Sequence, residues 1–280
     1  MLIFKAPLHS LRKTKVFRIF LKSNLNKRKL FNIGFDHKVA LRPLTHASIL
    51  LGKKHLEPQI RNLVIKTCSR LSQLNDINCF FDVGANVGLY TWEVAKICPK
   101  FKIISFEPDP ENVELLKMTR DFSNLNNIKI CPFALSTKSK KMSFQQDPLT
   151  SATGCISSDT KPWIEQYLNG YTNKITVQTK SIDEIIEENN IPTFMKIDVE
   201  GHENEVLEGG AKTIKKFKPV MIIESFPPKQ NKLIQTLGNI GYEFYDADRL
   251  SEVENKTCNF FGYHADGPLG KLNIQEFFNS

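Results

Sequence analysis

Two stretches hold most of the residues able to do chemistry. The first, "CFFDVGANVGLYTWEVA" (79–95), ends an apolar run in Asp82 and follows it with Gly84, Asn86 and Gly88. The second, "FMKIDVEGHENEVLEGG" (194–210), sets Lys196, Asp198 and Glu200 at alternate positions before Gly201 and His202. In an extended strand those three charged side chains share one side, so Asp198 and Glu200 stand together at the strand's carboxyl end. "KPVMIIES" (218–225) carries Glu224 to the end of a further apolar run.

A strand, a glycine turn and a helix form the usual cradle for a small ligand at the edge of an open α/β sheet. Gly84 and Gly88 permit backbone geometries that a Cβ blocks, and Asn86 tolerates a left-handed conformation. A dinucleotide fingerprint needs a third glycine five positions after the first, and position 89 is Leu. An acid-led turn suits a cation instead. S-adenosylmethionine (SAM), with an ammonium and a sulfonium and no pyrophosphate, fits Asp82 where a pyrophosphate is repelled. Glu107 ends "KIISFE" (102–107) and can accept from both ribose hydroxyls, whether the ligand is NAD or SAM.

The elements that must position these residues alternate. Helical spacing over 56–73, 89–98, 110–122, 203–217 and 229–240 is interleaved with strand-like runs "CFFDVG", "KIISFE", "NIKICPFAL", "TFMKIDVEG", "KPVMIIES", "GYEFYDA" and "NFFGYHA". That order predicts a doubly wound, mostly parallel seven-stranded sheet of Rossmann-like type. "KMSFQ" and "KITVQT" read as edge strands around the loop "TSATGCISSDT" (150–160). Ser181 and Glu184 form a capping box that opens a helix.

The chain has 280 residues, 41% of them hydrophobic, and a formal net charge of +8. Residues 1–42 hold eleven Lys/Arg and a single acid, Asp36, so the excess lies there and the remainder is slightly acidic. The expected division is a basic N-terminal arm, 1–50, helical or partly disordered, and a catalytic domain, 51–280. If 15–25 is helical, Val16, Phe17, Phe20, Leu21 and Leu25 share a face opposite Lys15, Arg18 and Lys22, a pattern able to contact an anionic membrane surface or a partner protein. Six cysteines without a C-x-x-C pair, and the lack of an apolar run of about 18 residues, point to a cytoplasmic protein.

The motifs "FFDVGANVGLYT", "SFEPDP", "ALS", "SIDEII", "MKIDVEGHENEVLEGG" and "KPVMIIES", in this order over roughly residues 50–250, resemble the FkbM family of SAM-dependent methyltransferases. The resemblance implies O-methylation of a hydroxyl on a sugar, glycan or related natural product. It places Asp82, Gly84, Asn86, Gly88 and Thr91 at the methionine end of the cofactor and Glu107 at the ribose. Pro108, Asp109 and Ala134 to Ser136 border the adenine, and Asp198, Glu200 and Glu224 face the acceptor. Asp198, His202 and Glu224 are the candidate bases, with Lys196 and Glu200 as substrate contacts. Asp198 and Glu224 could instead hold a divalent metal that orients the acceptor hydroxyls. The rival readings are an NAD(P)-linked sugar oxidoreductase, which lacks its Tyr-x-x-x-Lys pair here, and a non-catalytic tethering protein. Nucleic acid is not expected as a partner, because the near-neutral domain lacks an Asn/Asp-Pro-Pro-Tyr/Phe motif.

Overall fold

The computed structural model describes residues 14–52, 56–75, 78–156 and 172–279. Residues 1–13 of the expected arm and 157–160 of the expected loop lie outside them. The N-terminal elements are α1 (Lys15–Leu21), β1 (Lys29–Phe31), β2 (Val39–Leu41), α2 (Ala47–Gly52) and α3 (Pro58–Leu74). The central ones are β3 (Cys79–Val83), α4 (Leu89–Ile97), β4 (Lys102–Phe106), α5 (Pro110–Phe122), β5 (Ile128–Cys131), β6 (Ala134–Leu135), β7 (Lys140–Gln146) and β8 (Asn173–Lys180). After these come α6 (Ile182–Ile185), β9 (Phe194–Ile197), α7 (Glu203–Gly209), α8 (Ala211–Phe217), β10 (Val220–Glu224) and α9 (Lys229–Gly238). The chain closes with β11 (Glu243–Asp246), β12 (Ser251–Glu252), β13 (Asn259–Tyr263) and α10 (Ile274–Asn279).

The main sheet runs β12-β11-β13-β10-β9-β3-β4-β5. Strands β10, β9, β3, β4 and β5 are parallel, and β13 lies antiparallel between β10 and β11. The expected seven strands are joined by an eighth, the two-residue edge strand β12. The parallel strands are apolar runs because helices cover both faces. Phe80 points into one core, and Phe81 and Val83 into the other. The chain builds outward from β3 through β4 to β5, then returns to place β9 on the other side of β3. Strand order therefore reverses between β3 and β9, where such sheets bind ligands. Register keeps the strand ends level: Val83 pairs with Ile197 and with Phe106.

Three local readings change. "NIKICPFAL" is not one strand: Pro132 has no N–H to donate, and the chain leaves the main sheet after β5 to enter a second sheet, β6-β8-β7. The expected 203–217 helix is two helices meeting at Gly210. The helix expected over 15–25 ends at Leu21, and Leu25 falls in a separate 3-10 turn, Asn24–Asn26. The capping box forms as read: Glu184 N–H donates to Ser181 Oγ, and Ser181 N–H to Glu184 Oε2.

Within the segment expected as an arm, β1 and β2 form an antiparallel pair, and Val39, Ala40 and Leu41 are fully buried. Ala40 N–H donates to Thr119 Oγ1 of α5 at 2.9 Å. Arg28 and Arg42 each reach Glu111 Oε2 at 3.3 Å. Part of the basic excess thus serves to pin this pair to α5. Helix α1, by contrast, buries none of its residues.

Candidate active site

A cavity of about 720 Å³, including its open mouth, lies at the carboxyl ends of β3, β4 and β9. Gly84, Asn86, Glu107, Pro108, Asp109, Ala134, Asp198, Glu200 and His202 of the expected site line it. Asp82, Gly88, Thr91, Ser136, Lys196 and Glu224 are not part of that lining.

Glu107 closes β4 and is 5% exposed. Its Oε2 accepts from Asn86 N–H at 2.7 Å, and its Oε1 from Asp109 N–H at 2.8 Å. The carboxylate so ties the turn after β3 to the turn after β4, and each oxygen keeps a lone pair for a ligand hydroxyl. Burial pushes its pKa up to about 8, against the pull of the two N–H donors. Asp109 caps α5 by accepting from Glu111 N–H at 2.9 Å, and Pro110 follows at the first helical position. Asn86 adopts φ +52°, the left-handed geometry expected of it. Its Nδ2 donates to Ser151 O at 2.9 Å, while its Oδ1 is buried without a hydrogen-bond partner. A buried acceptor left open on a cavity wall suits an ammonium donor.

The glycines are required for reasons the sequence did not reveal. A Cβ on Gly84 would lie 1.8 Å from Asp198 O, so the turn and the end of β9 are in direct backbone contact. A Cβ on Gly88, at φ +87°, would lie 2.6 Å from the Trp92 indole. Gly88 therefore makes room for core packing and stands away from the cavity. Asp82 is 1% exposed, and its Oδ2 accepts from Thr91 N–H at 2.9 Å and Thr91 Oγ1 at 2.6 Å. Both residues are occupied with each other at the start of α4. Those bonds and the one between Thr91 Oγ1 and Ser105 Oγ at 2.7 Å brace the end of β3 against α4. Burial raises the Asp82 pKa to about 6, offset in part by those donors.

On the acceptor side, Lys196 Nζ contacts Asp198 Oδ2 at 2.6 Å and lies 4.8 Å from the Tyr90 ring centroid. Burial alone would lower the Lys196 pKa, but Asp198, Glu57 and Glu224 outweigh it and raise it. Glu224 is driven up to about 10, first by Asp198 and then by burial. Burial, Asp198 and Glu203 push Glu200 well above the carboxylate range. Asp198 and burial thus favour the protonated form of Glu224. His202 Nε2 pairs with Ser136 Oγ at 2.9 Å, its Nδ1 faces Glu205 Oε2 at 3.6 Å, and burial lowers its pKa. The ring nitrogens are thus engaged by Ser136 and Glu205 while His202 lines the cavity.

A divalent metal does not fit this set. An ammonium already sits on Asp198, and among the described residues no group of three His, Cys, Asp or Glu is placed to hold an ion. Sequence reasoning also missed the roof of the cavity. Asp147 folds the loop by accepting from Leu149 and Thr150 N–H, both at 2.9 Å, and Ser151 Oγ donates to Asn112 Oδ1 at 2.8 Å. The Ser/Thr-rich composition marked a loop but gave no sign of where it would lie.

Among the described residues the lining holds five acidic side chains, Glu107, Asp109, Asp147, Asp198 and Glu200, and neither Lys nor Arg. A family model described as methyltransferase FkbM domain matches residues 82–244. The chain belongs to that family. It is 31% identical over 142 residues to a hexuronic acid methyltransferase, AglP, of Haloferax volcanii, covering 50% of this chain and 52% of that protein. It is 21% identical over 163 residues to methyltransferase 1 of Beauveria bassiana, covering 53% of this chain and 65% of that protein. This FkbM-family chain thus spans about half to two thirds of the length of these curated relatives. A solved FkbM methyltransferase from Methylobacillus flagellatus aligns with a TM-score of 0.46 and 18% identity, over 67% of this chain and 44% of that one.

Glu107 gives a pH test. Its folded pKa is raised, so the folded protein holds a proton that the unfolded chain has lost. The stability from that proton is complete below about 4.5 and is lost as pH rises through about 8. Ribose hydroxyls donate to the ionised form, so binding favours deprotonation. Calorimetry should show S-adenosylhomocysteine affinity rising with pH up to about 8, by at most roughly tenfold per unit, and levelling above. Glu107→Gln should flatten the profile. A wild-type affinity that is flat or falls over this range contradicts the assignment.

Proposed function

We propose that this FkbM-family chain transfers a methyl group from SAM to a hydroxyl of a sugar, glycan or related natural product. The observation that carries the reading is that the described residues of the cavity wall bring five acidic side chains, Glu107 and Asp198 among them, and no Lys or Arg. A dinucleotide pyrophosphate meets no Lys or Arg among the described lining residues, while a sulfonium and an ammonium meet acids. The open Asn86 Oδ1 offers the ammonium an acceptor, and Glu107 offers the ribose two. The identity with a hexuronic acid methyltransferase supports a sugar acceptor.

When bound, SAM supplies an electrophilic methyl carbon on a positively charged sulfur. The chain's own residues then hold the acceptor oxygen in line with that carbon, which is the largest lever on such a displacement. Asp198, paired with Lys196, takes the hydroxyl proton as the new C–O bond forms and the methyl–sulfur bond breaks. Glu224, protonated, donates a hydrogen bond on the same side. Two carboxyl groups at neighbouring strand ends so take different roles because Asp198 is paired with an ammonium while Asp198 and burial favour the proton on Glu224.

Asp198→Asn should lower methyl transfer to a panel of neutral and hexuronic sugar glycosides by roughly 10²–10⁴-fold, with S-adenosylhomocysteine affinity near wild type. Glu224→Gln keeps a neutral donor and should retain most of the activity. Full turnover in Asp198→Asn sinks the base assignment.

We also propose that α1 brings the protein to an anionic membrane surface. Val16, Ile19, Phe20 and Leu25 are exposed amid Lys15, Lys22 and Lys27, and among the described residues no helix is long and apolar enough to cross a membrane. Deleting residues 1–22 should abolish cosedimentation with phosphatidylserine vesicles and preserve S-adenosylhomocysteine binding. Deleting 1–42 should also destabilise the fold, because it removes Val39–Leu41 from the core. Vesicle binding that survives the shorter deletion refutes the surface.

A further inference from the structure

We propose that Glu57 and Tyr90 are positioning residues for Asp198, so that an element preceding the family-matched residues sets the proton-accepting carboxylate. The proposal rests on the methyl-transfer reading above.

The contacts form a chain. Glu57 precedes α3 at φ 44°, ψ 53°, a left-handed geometry that non-glycine residues seldom adopt. Its side chain makes no capping bond to that helix, the usual task of a residue in this place. Instead its Oε2 accepts from the Tyr90 hydroxyl. Tyr90 stands in the first turn of α4, two residues after the glycine turn, and is 9% exposed. Burial and Glu57 hold it as the neutral phenol, so it is the donor in this pair. Its ring lies 4.8 Å from Lys196 Nζ, and that ammonium contacts Asp198 Oδ2. Asp198 then lines the cavity.

Each link has a physical reason. Lys196 is 2% exposed, and a buried ammonium is costly unless it finds an anion and a polarizable face. Asp198 supplies the anion and Tyr90 the face. A lysine stem has four rotatable carbons, so without the ring the ammonium gains other positions and the carboxylate bonded to it follows. The ring in turn is held at its far end by Glu57. The result is one carboxylate oxygen held by Lys196, with the second, Oδ1, receiving no hydrogen bond from the described residues. Tyr90 falls inside a predicted helix with no motif role of its own, and Glu57 lies ahead of every motif. Neither is marked by sequence spacing.

The test uses the full chain, SAM, and two probe acceptors, 4-nitrophenyl β-D-glucoside and 4-nitrophenyl β-D-glucuronide. Tyr90→Leu removes the ring and should lower kcat by roughly 10²-fold, the scale of a small misplacement of a reacting group. KM for SAM and the Kd for S-adenosylhomocysteine should stay near wild type. Tyr90→Phe restores the ring but not its bond to Glu57, and should recover kcat only to the level of Glu57→Gln. Glu57→Gln, at an exposed position, should lower kcat without disturbing the fold. A second measurement needs no acceptor. Urea midpoints of the S-adenosylhomocysteine complex are compared in double-mutant cycles pairing Asp198→Asn with Tyr90→Leu and with Glu57→Gln. Non-additive midpoints support the proposal. Additive midpoints, or an unchanged kcat in Tyr90→Leu, overturn it. Coupled midpoints in a protein that methylates neither glycoside uphold the positioning and count against the sugar acceptor.

Discussion

The Glu107 carboxylate is the interaction on which the site depends. It is buried, and burying a carboxylate without donors is strongly unfavourable. Two backbone N–H groups, from Asn86 and Asp109, meet it from two different turns. Those bonds hold the β3 and β4 turns at a fixed separation, and that separation is the width of the cavity. The second constraint is the backbone contact of Gly84 with Asp198 O, which leaves no room for a Cβ. It joins the cofactor turn to the strand carrying the acceptor-side acids. The glycine turn and the carboxyl end of β9 are therefore held together at one sheet edge.

The acids around this edge differ because their neighbours differ. Asp198 has an ammonium at 2.6 Å, Glu224 has Asp198 and a buried setting, and Glu200 has burial and two further carboxylates nearby. The Lys196 ammonium offsets one of these acids, and burial with the neighbouring carboxylates favours protonation of Glu224 and Glu200, which eases the crowding of acids at one strand edge. A structural reading explains Asp82 and His202 in the same way. Each meets its needs within the chain, Asp82 through Thr91 and His202 through Ser136.

Much of the fold was legible because strands buried on both faces must be apolar runs, and β3, β4, β9 and β10 are such runs. Glu107 was legible because an acid at the end of such a run has one place to go, the ligand edge. Asn86 was legible from the rarity of left-handed geometry outside glycine. The rest depends on contacts distant in sequence. The β1–β2 pair was hidden by the basic residues around it, whose partner, Glu111, lies far along the chain. Gly88 reads as a ligand glycine until Trp92 is seen against it. Pro132 splits a run whose hydrophobicity alone looks continuous. Composition marks the 150–156 loop, but only Asp147 and the Asn86–Ser151 bond place it over the cavity.

A crystal structure of the protein with S-adenosylhomocysteine tests the central claim most directly. The ribose hydroxyls should lie within hydrogen-bond distance of Glu107, about 2.5–3.0 Å, with the amino group at Asn86 Oδ1 and the sulfur facing Asp198. A ligand seated outside this cavity, or a ribose turned away from Glu107, would contradict it.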